Sequence, residues 1–267
     1  MKDMTEYTLI TGASRGIGAA FARRLAAAGN ALILTARDGA ALQALRQELE
    51  SRHAIPVHTL IEDLTRPAAA HALHAECNRR QWRVTRLINN AGFGRFGDFT
   101  SHTVEDYEAM IRLNTLAPVE LTRLFLPEMR AREHGAIINV ASTAAFQPTP
   151  YLAVYGATKA FMLSFSEALA AECAGSGIQV LALCPGATRT EFFGAAGRPD
   201  FATSNPAPMQ SAEAVVDEAL WALSRGRHRV ITGRTNRLML LASRLLPSGL
   251  ILKLSRRVMQ RWLGPAA

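Results

Sequence analysis

The sequence predicts a single doubly wound α/β domain on a parallel seven-stranded sheet, extended by helices at its C-terminal end. Three observations carry this. Short β-type runs alternate with longer helical patterns through most of the chain, as βαβ units require. The runs are apolar without alternation, as expected of strands buried on both faces. A glycine-rich turn joins the first run to the first helix.

In chain order, Thr8–Ile10 is the first strand and a helix begins near Ile17. Ala31–Thr35 leads to a helix near Ala40, and Pro56–Leu60 to one near Pro67. Arg86–Asn89 precedes a helix near Val104, Ala136–Ala141 precedes one near Tyr155, and Gln179–Leu183 is the sixth strand. A helix near Ala212 then leads to a seventh strand, Arg229–Ile231. Residues Phe192–Gln210 break the rhythm with Gly194, Gly197, Pro199, Pro206 and Pro208, and read as a mobile loop or lid. The segment Asn236–Leu263 is apolar and basic, divided by Pro247-Ser248-Gly249, which predicts two short helices. The organisation expected is therefore a domain over 1–235, with a lid over 192–210, and a basic helical extension over 236–267.

A chain of 267 residues, 49% hydrophobic and 19% charged, can bury one sizeable core. Cys77, Cys173 and Cys184 are odd in number and widely spaced, which suits a reducing compartment and no metal site. The first residues carry charge and lack a signal-peptide apolar core, so a cytoplasmic location is expected. The net charge of +8 sits in the tail: no acid follows Glu218, whereas ten Lys and Arg residues do.

After the first strand comes Thr11-Gly12-Ala13-Ser14-Arg15-Gly16-Ile17-Gly18. Glycines at 12, 16 and 18 allow a tight turn and close backbone approach, and the following helix end offers free N–H groups to a pyrophosphate. This is a Rossmann-type cofactor loop with Gly-x-x-x-Gly-x-Gly spacing. At the end of the second strand stand Ala36 and Arg37, where an NAD binder carries an acid for the ribose 2′-hydroxyl. Arg15 and Arg37 converging on one pocket favour NADP(H) over NAD, although Asp38 beside Arg37 weighs against it.

Tyr155 and Lys159 stand at i, i+4, which puts both on one face of a helix. A phenol is a poor acid or base at neutral pH, and a nearby ammonium lowers its pKa. Ser142 follows the fifth strand, where its hydroxyl can bind the same substrate oxygen. These three are the candidate proton-donating group for carbonyl chemistry.

With these motifs in order, together with Asp63-Leu64 after the third strand, Asn89-Asn90-Ala91-Gly92 after the fourth, Asn114 in a helix and Pro185-Gly186 after the sixth, the sequence resembles the short-chain dehydrogenase/reductase family, of the classical type, over roughly Thr8 to Val230. The resemblance implies an oxidoreductase that interconverts a carbonyl and a secondary alcohol. It implies that Ser142 orients the carbonyl, Tyr155 is the general acid/base, and Lys159 holds the nicotinamide ribose and lowers the tyrosine pKa. Asn114 would fix a water that resupplies the proton. Gly12, Ser14, Arg15, Gly16, Ile17, Gly18, Arg37, Asp63, Leu64, Asn90, Ala91 and Gly92 would bind the cofactor. Tyr155, Lys159, Pro185, Gly186, Thr188 and Thr190 would complete its site, with no metal. Thr188 departs from the family's usual branched aliphatic at its position. A homo-oligomer is the family's common state.

The walls expected around a substrate are Phe93-Gly94-Arg95-Phe96, Thr143–Tyr151 and the lid. Phe93, Phe96, Phe146, Phe192 and Phe193 suggest an apolar ketone or 3-oxoacyl-type substrate. A non-catalytic NADP-binding sensor is the alternative on the same fold. The tail, 237–263, has three readings: a helix packed on its own domain, a subunit interface, or peripheral contact with a membrane surface. No nucleic-acid reader motif accompanies its charge, so no nucleic-acid partner is expected.

Overall fold

A computed structural model describes residues 5–199, 201, 209–243 and 245–263. Seven parallel strands form one sheet: β1 (Glu6–Thr11), β2 (Ala31–Ala36), β3 (Val57–Ile61), β4 (Arg83–Asn89), β5 (Gly135–Val140), β6 (Ile178–Cys184) and a last strand, β9 (Arg229–Ile231). Their order is β3-β2-β1-β4-β5-β6-β9. The order reverses between β1 and β4, which opens a crevice beyond their carboxyl ends, where ligands of such sheets bind. Pairing Ile10 with Ile88 and Thr11 with Thr35 sets those strand ends level.

Neighbouring residues of each strand feed opposite faces of the sheet, so both positions must be apolar. Ile10, Leu32, Leu34 and Ile138 join α1 (Gly16–Ala27) and α2 (Gly39–Arg52) on one face, with α8 (Ala212–Ser224). Leu9, Ile33 and Ile137 join α3 (Ala69–Arg79), α5 (Ala117–Ala131) and α6 (Ala153–Glu172) on the other. Cys77, Cys173 and Cys184 are free thiols buried in this core.

The observed strands β1 and β4 begin earlier than expected, at Glu6 and Arg83. The expected helix near Val104 ends as α4 (Val104–Ile111), and runs through a π-turn, Arg112–Leu116, directly into α5. Helix α5 is not among those expected from the sequence; Pro118 suits its first turn, Pro127 lies inside it, and Leu121, Phe125 and Met129 pack it into the core.

The lid is tied at its base by a two-stranded sheet, β7 (Thr188–Arg189) with β8 (Gln210–Ser211). It starts with a single helical turn, α7 (Phe192–Ala195), while residue 200 and residues 202–208 lie outside the described residues. The tail forms α9 (Arg234–Ser243) and α10 (Ser248–Leu263), separated at Pro247 as expected.

Candidate active site

The glycine loop is held from below by Thr11. Its hydroxyl donates to the Ile88 carbonyl at 3.3 Å and accepts from the N–H groups of Asn90 and Ala91, each at 3.0 Å. The Asn90 amide donates to the carbonyls of Thr11 and Gly12 at 2.9 and 3.1 Å, so its nitrogen anchors the loop and does not reach outward toward a ribose. Gly12 and Gly16 take left-handed backbone, φ +63° and +54°. A Cβ on Gly12 would stand 2.8 Å from Ala91 Cα, and one on Gly18 would collide with the Gly12 carbonyl. Only glycine brings loop and β4 this close.

No side chain caps the N-terminus of α1 and no acid lies in its first turn, so its free N–H groups face the crevice. Ser14 and Ile17 are half-buried on this loop, and Arg15 is exposed at the cap position. Arg37 is exposed at the end of β2, and neither arginine makes an ion pair among the described residues. Asp38 accepts from the Ala41 N–H at 3.0 Å as the cap of α2, which engages its carboxylate away from Arg37. Burial pushes the Asp63 carboxyl up, but hydrogen bonds from the Thr65 N–H and hydroxyl, with the charges of Arg37 and Arg66, outweigh it and hold the carboxyl low. Leu64 is buried beside it in the core. An uncapped helix end, a glycine cradle and two unpaired cations fit the phosphates of a dinucleotide.

Tyr155 sits in the first turn of α6 and Lys159 one turn on. The Lys159 ammonium donates to the Val140 carbonyl at 2.7 Å and lies 5.6 Å from the Tyr155 ring centroid. The Ser142 hydroxyl accepts from the Ala144 N–H at 3.1 Å and donates to the Pro185 carbonyl at 3.5 Å. Burial pushes the Tyr155 phenol up to about 12, and the nearby Ser142 hydroxyl pulls it back only in part. Burial also pulls Lys159 down to about 8. The expected lowering of Tyr155 by Lys159 is therefore absent in this state of the protein: the ammonium is bound to a strand-end carbonyl, and desolvation dominates both groups.

Asn114 occupies the π-turn, buried to 1% exposure. Its amide donates to the Phe93 carbonyl at 3.0 Å and to Thr158 Oγ1 at 3.1 Å, and its Oδ1 accepts from the Phe93 N–H at 3.1 Å. Thr158 in turn donates to the Tyr155 carbonyl at 2.7 Å. This clasp fixes the loop after β4 against α6. A Cβ on Gly92 would stand 3.0 Å from Asn114 Oδ1 and 3.5 Å from Lys159 Nζ. Sequence reasoning missed Thr158, although it directly precedes Lys159.

Across the crevice, Thr190 packs over Gly16, Thr188 donates to the Gly186 carbonyl at 3.0 Å, and Asn236 of α9 lies against Gly186, leaving no room for a Cβ there. Pro185 accepts from the Thr143 N–H at 2.9 Å. Of the five phenylalanines expected around a substrate, Phe96, Phe192 and Phe193 form one apolar cluster with Leu152 and Tyr155, and Phe192 lies 5.4 Å from the Tyr155 ring. Phe93 and Phe146 pack instead into the sheet core. Sequence reasoning also missed Met259 of α10, which is buried in the same cluster, and Gln260, whose amide donates to the Tyr151 hydroxyl at 3.1 Å. No periodicity links residues so far apart in the chain.

Residues 6–199 match the family model described as short chain dehydrogenase. The chain belongs to the short-chain dehydrogenase/reductase family. The dehydrogenase is 40% identical to a sulfoacetaldehyde reductase of Chromohalobacter salexigens over 191 residues, which is 71% of this chain and 75% of that one. Its structure is similar to a short-chain dehydrogenase from Sphingobium yanoikuyae in complex with NADPH, with a TM-score of 0.81, 39% identity and coverage of 89% and 92%. It is also similar to a bulky-bulky ketone specific alcohol dehydrogenase from Comamonas testosteroni, with a TM-score of 0.76, 30% identity and coverage of 91% and 92%. The dehydrogenase is an NAD(P)-dependent oxidoreductase with a catalytic tyrosine. No helix among its described residues is long and apolar enough to cross a membrane.

Proposed function

We propose that this enzyme reduces an apolar ketone or 3-oxoacyl-type carbonyl to a secondary alcohol with NADPH. The observation that carries the reading is Tyr155 of α6 with Lys159 5.6 Å from its ring and Ser142 just past the end of β5, at the carboxyl edge of the sheet, in a site covered by Phe192. Reduction adds a hydride, which a bound nicotinamide supplies, to the carbonyl carbon, and a proton to its oxygen. Tyr155 holds that proton. With its phenol pushed up to about 12, it is protonated at neutral pH and suited to donate. Ser142 orients the oxygen, and Lys159, with Asn114 one clasp away, returns a proton to Tyr155 after turnover. Gly12, Ser14, Gly16, Ile17, Gly18, Ala91 and Gly92 hold the dinucleotide, with Asp63 and Leu64 toward its adenine end. Pro185, Gly186, Thr188 and Thr190 hold its nicotinamide end.

Preference for NADPH rests on Arg15 and Arg37, exposed and without ion pairs among the described residues, which suit a 2′-phosphate. The relative bound to NADPH supports it. Phe96, Phe192 and Phe193 with Leu152 and Met259 give the substrate side an apolar lining, and the bulky ketone specificity of one relative agrees. Exposed Val104 and Ile111 on α4, Leu116 on the π-turn and Phe161 on α6 support a homo-oligomer, checked by mass in solution. Peripheral membrane contact through residues 237–263 belongs to the same reading.

A second substrate class is favoured by Arg95, which lines the cleft beside Tyr155. Its guanidinium pairs with Asp106 at 3.3 Å and donates to the Ala195 carbonyl at 3.3 Å, so by exchanging these partners it would hold a carboxylate or a sulfonate, the group a sulfoacetaldehyde carries. Following NADPH absorbance with aromatic ketones, 3-oxoacyl thioesters and short anionic aldehydes separates the two. Turnover of the neutral carbonyls supports the main reading. Turnover of anionic aldehydes alone replaces it with the second, and saturable NADPH binding without turnover on any of them removes both.

A further inference from the structure

No acid follows Glu218, and on α10 the exposed Lys253, Arg256, Arg257 and Arg261 make no ion pair among the described residues. Helical spacing sorts that helix into stripes. Ser255 and Met259, one turn apart, are buried at 8% and 5% exposure, with Ile251 half-buried above them. The adjacent stripe one residue earlier, Leu250, Leu254 and Val258, is 43%, 42% and 45% exposed. Arg257 and Arg261 flank it. Leu238, Met239 and Leu241 extend the exposed apolar surface onto α9.

The apolar face of α10 is thus wider than the protein covers, and its border is cationic only. An interfacial helix has this form: apolar side chains enter the acyl boundary while Lys and Arg meet lipid phosphates. A second copy of the chain suits the surface poorly. A two-fold contact brings identical patches together, so the unpaired cations of both copies would face each other with no acid between them.

Resting on the reading that residues 237–263 meet a membrane, we propose that α9 and α10 are a docking surface for an anionic lipid bilayer. Leu250, Leu254 and Val258 enter the acyl boundary, and Lys253, Arg257 and Arg261 bind the phosphates. Met259, on the neighbouring stripe of the same helix, closes the aromatic cluster beside Tyr155, so docking anchors the helix that walls the active site.

The test is flotation of the full chain with phosphatidylcholine vesicles, with and without phosphatidylglycerol, at low and high salt. Binding is expected with phosphatidylglycerol at low salt, and on the order of tenfold weaker without it or at high salt. Leu250→Ser with Leu254→Ser, and separately Arg257→Gln with Arg261→Gln, each weaken it by on the order of tenfold, with unchanged thermal melting and NADPH turnover. Equal flotation with neutral and anionic vesicles, or indifference to both double variants, overturns anionic docking while leaving membrane contact standing. No flotation with any vesicle removes both. Dissociation of an oligomer by the leucine variant, without vesicle binding by the wild type, assigns the surface to a second copy instead.

Discussion

Lys159 donates a 2.7 Å hydrogen bond to the carbonyl of Val140, so the ammonium one helical turn from Tyr155 is held by the end of β5. Two buried ionisable groups then stand side by side with opposite displacements: Tyr155 up to about 12 and Lys159 down to about 8. Each displacement disfavours the charged form, as burial does.

This has a consequence for stability. Burial pulls Lys159 down to about 8 in the folded protein from its ordinary 10.5. Between those values the unfolded chain binds more protons, so folding stability rises with pH across the window. Thermal melting of the cofactor-free protein is expected to show a gain on the order of 2–3 kcal/mol from this group between pH 8 and 10.5, and Lys159→Met is expected to lack it. Parallel pH profiles for the two proteins would refute the assignment.

Tyr155 titrates the other way. Burial raises it above its ordinary value of 10.0, so its contribution is fully present below pH 10 and fades as pH climbs toward 12. Tyr155→Phe is expected to lower kcat by roughly a hundredfold to ten-thousandfold and to leave NADPH affinity, read by fluorescence titration, within about threefold of wild type because the ring and its packing stay. A variant with near-normal kcat would move the proton donor elsewhere.

Cofactor choice rests on the exposed Arg37, which makes no ion pair among the described residues. Arg37→Asp replaces a cation near the candidate 2′-phosphate position with an acid suited to a ribose hydroxyl. NADPH affinity is expected to fall on the order of tenfold or more, while NADH affinity holds or rises. Equal loss of both would mean that Arg37 supports the loop and does not read the phosphate.

The Asn114 clasp joins the Phe93 segment to Thr158 through three hydrogen bonds. Asn114→Ala leaves Phe93 N–H and C=O groups without partners in a part-buried site, which costs on the order of 2–4 kcal/mol. Chemical denaturation measures this. Because the clasp aligns α6, kcat is expected to drop as well, with KM for NADPH nearly unchanged.

Met259 brings α10 against Phe96 and Leu152. Met259→Ala is expected to raise kcat/KM for bulky ketones relative to small ones by a few-fold, since a smaller residue leaves space in the cluster. An unchanged ratio would place Met259 outside the substrate's reach.

Much of this architecture can be read from local pattern. The apolar runs at Ala31–Ala36 and Ile178–Cys184 are long enough and apolar enough on both faces to demand burial in a two-sided sheet. The glycines at 12, 16 and 18 and the i, i+4 pair Tyr155 and Lys159 take their meaning from their order along the chain together with the other motifs. The α5 helix does not declare itself, because Pro127 inside it contradicts a helix locally and its packing into the core holds it. Nor does the division of the phenylalanines: Phe146 and Phe192 look alike in sequence, but one packs under α6 and the other over Tyr155.

Residue order therefore establishes the sheet, the phosphate loop and the reacting trio, since each depends on neighbours a few positions apart and on backbone rules that hold anywhere. Tertiary structure decides the ionisation of Tyr155 and Lys159, the clasp of Asn114 on Phe93 and the arrival of Met259 beside Tyr155. Those depend on burial and on contacts between distant segments: desolvation is a property of a place in the fold, and no spacing in the chain encodes it.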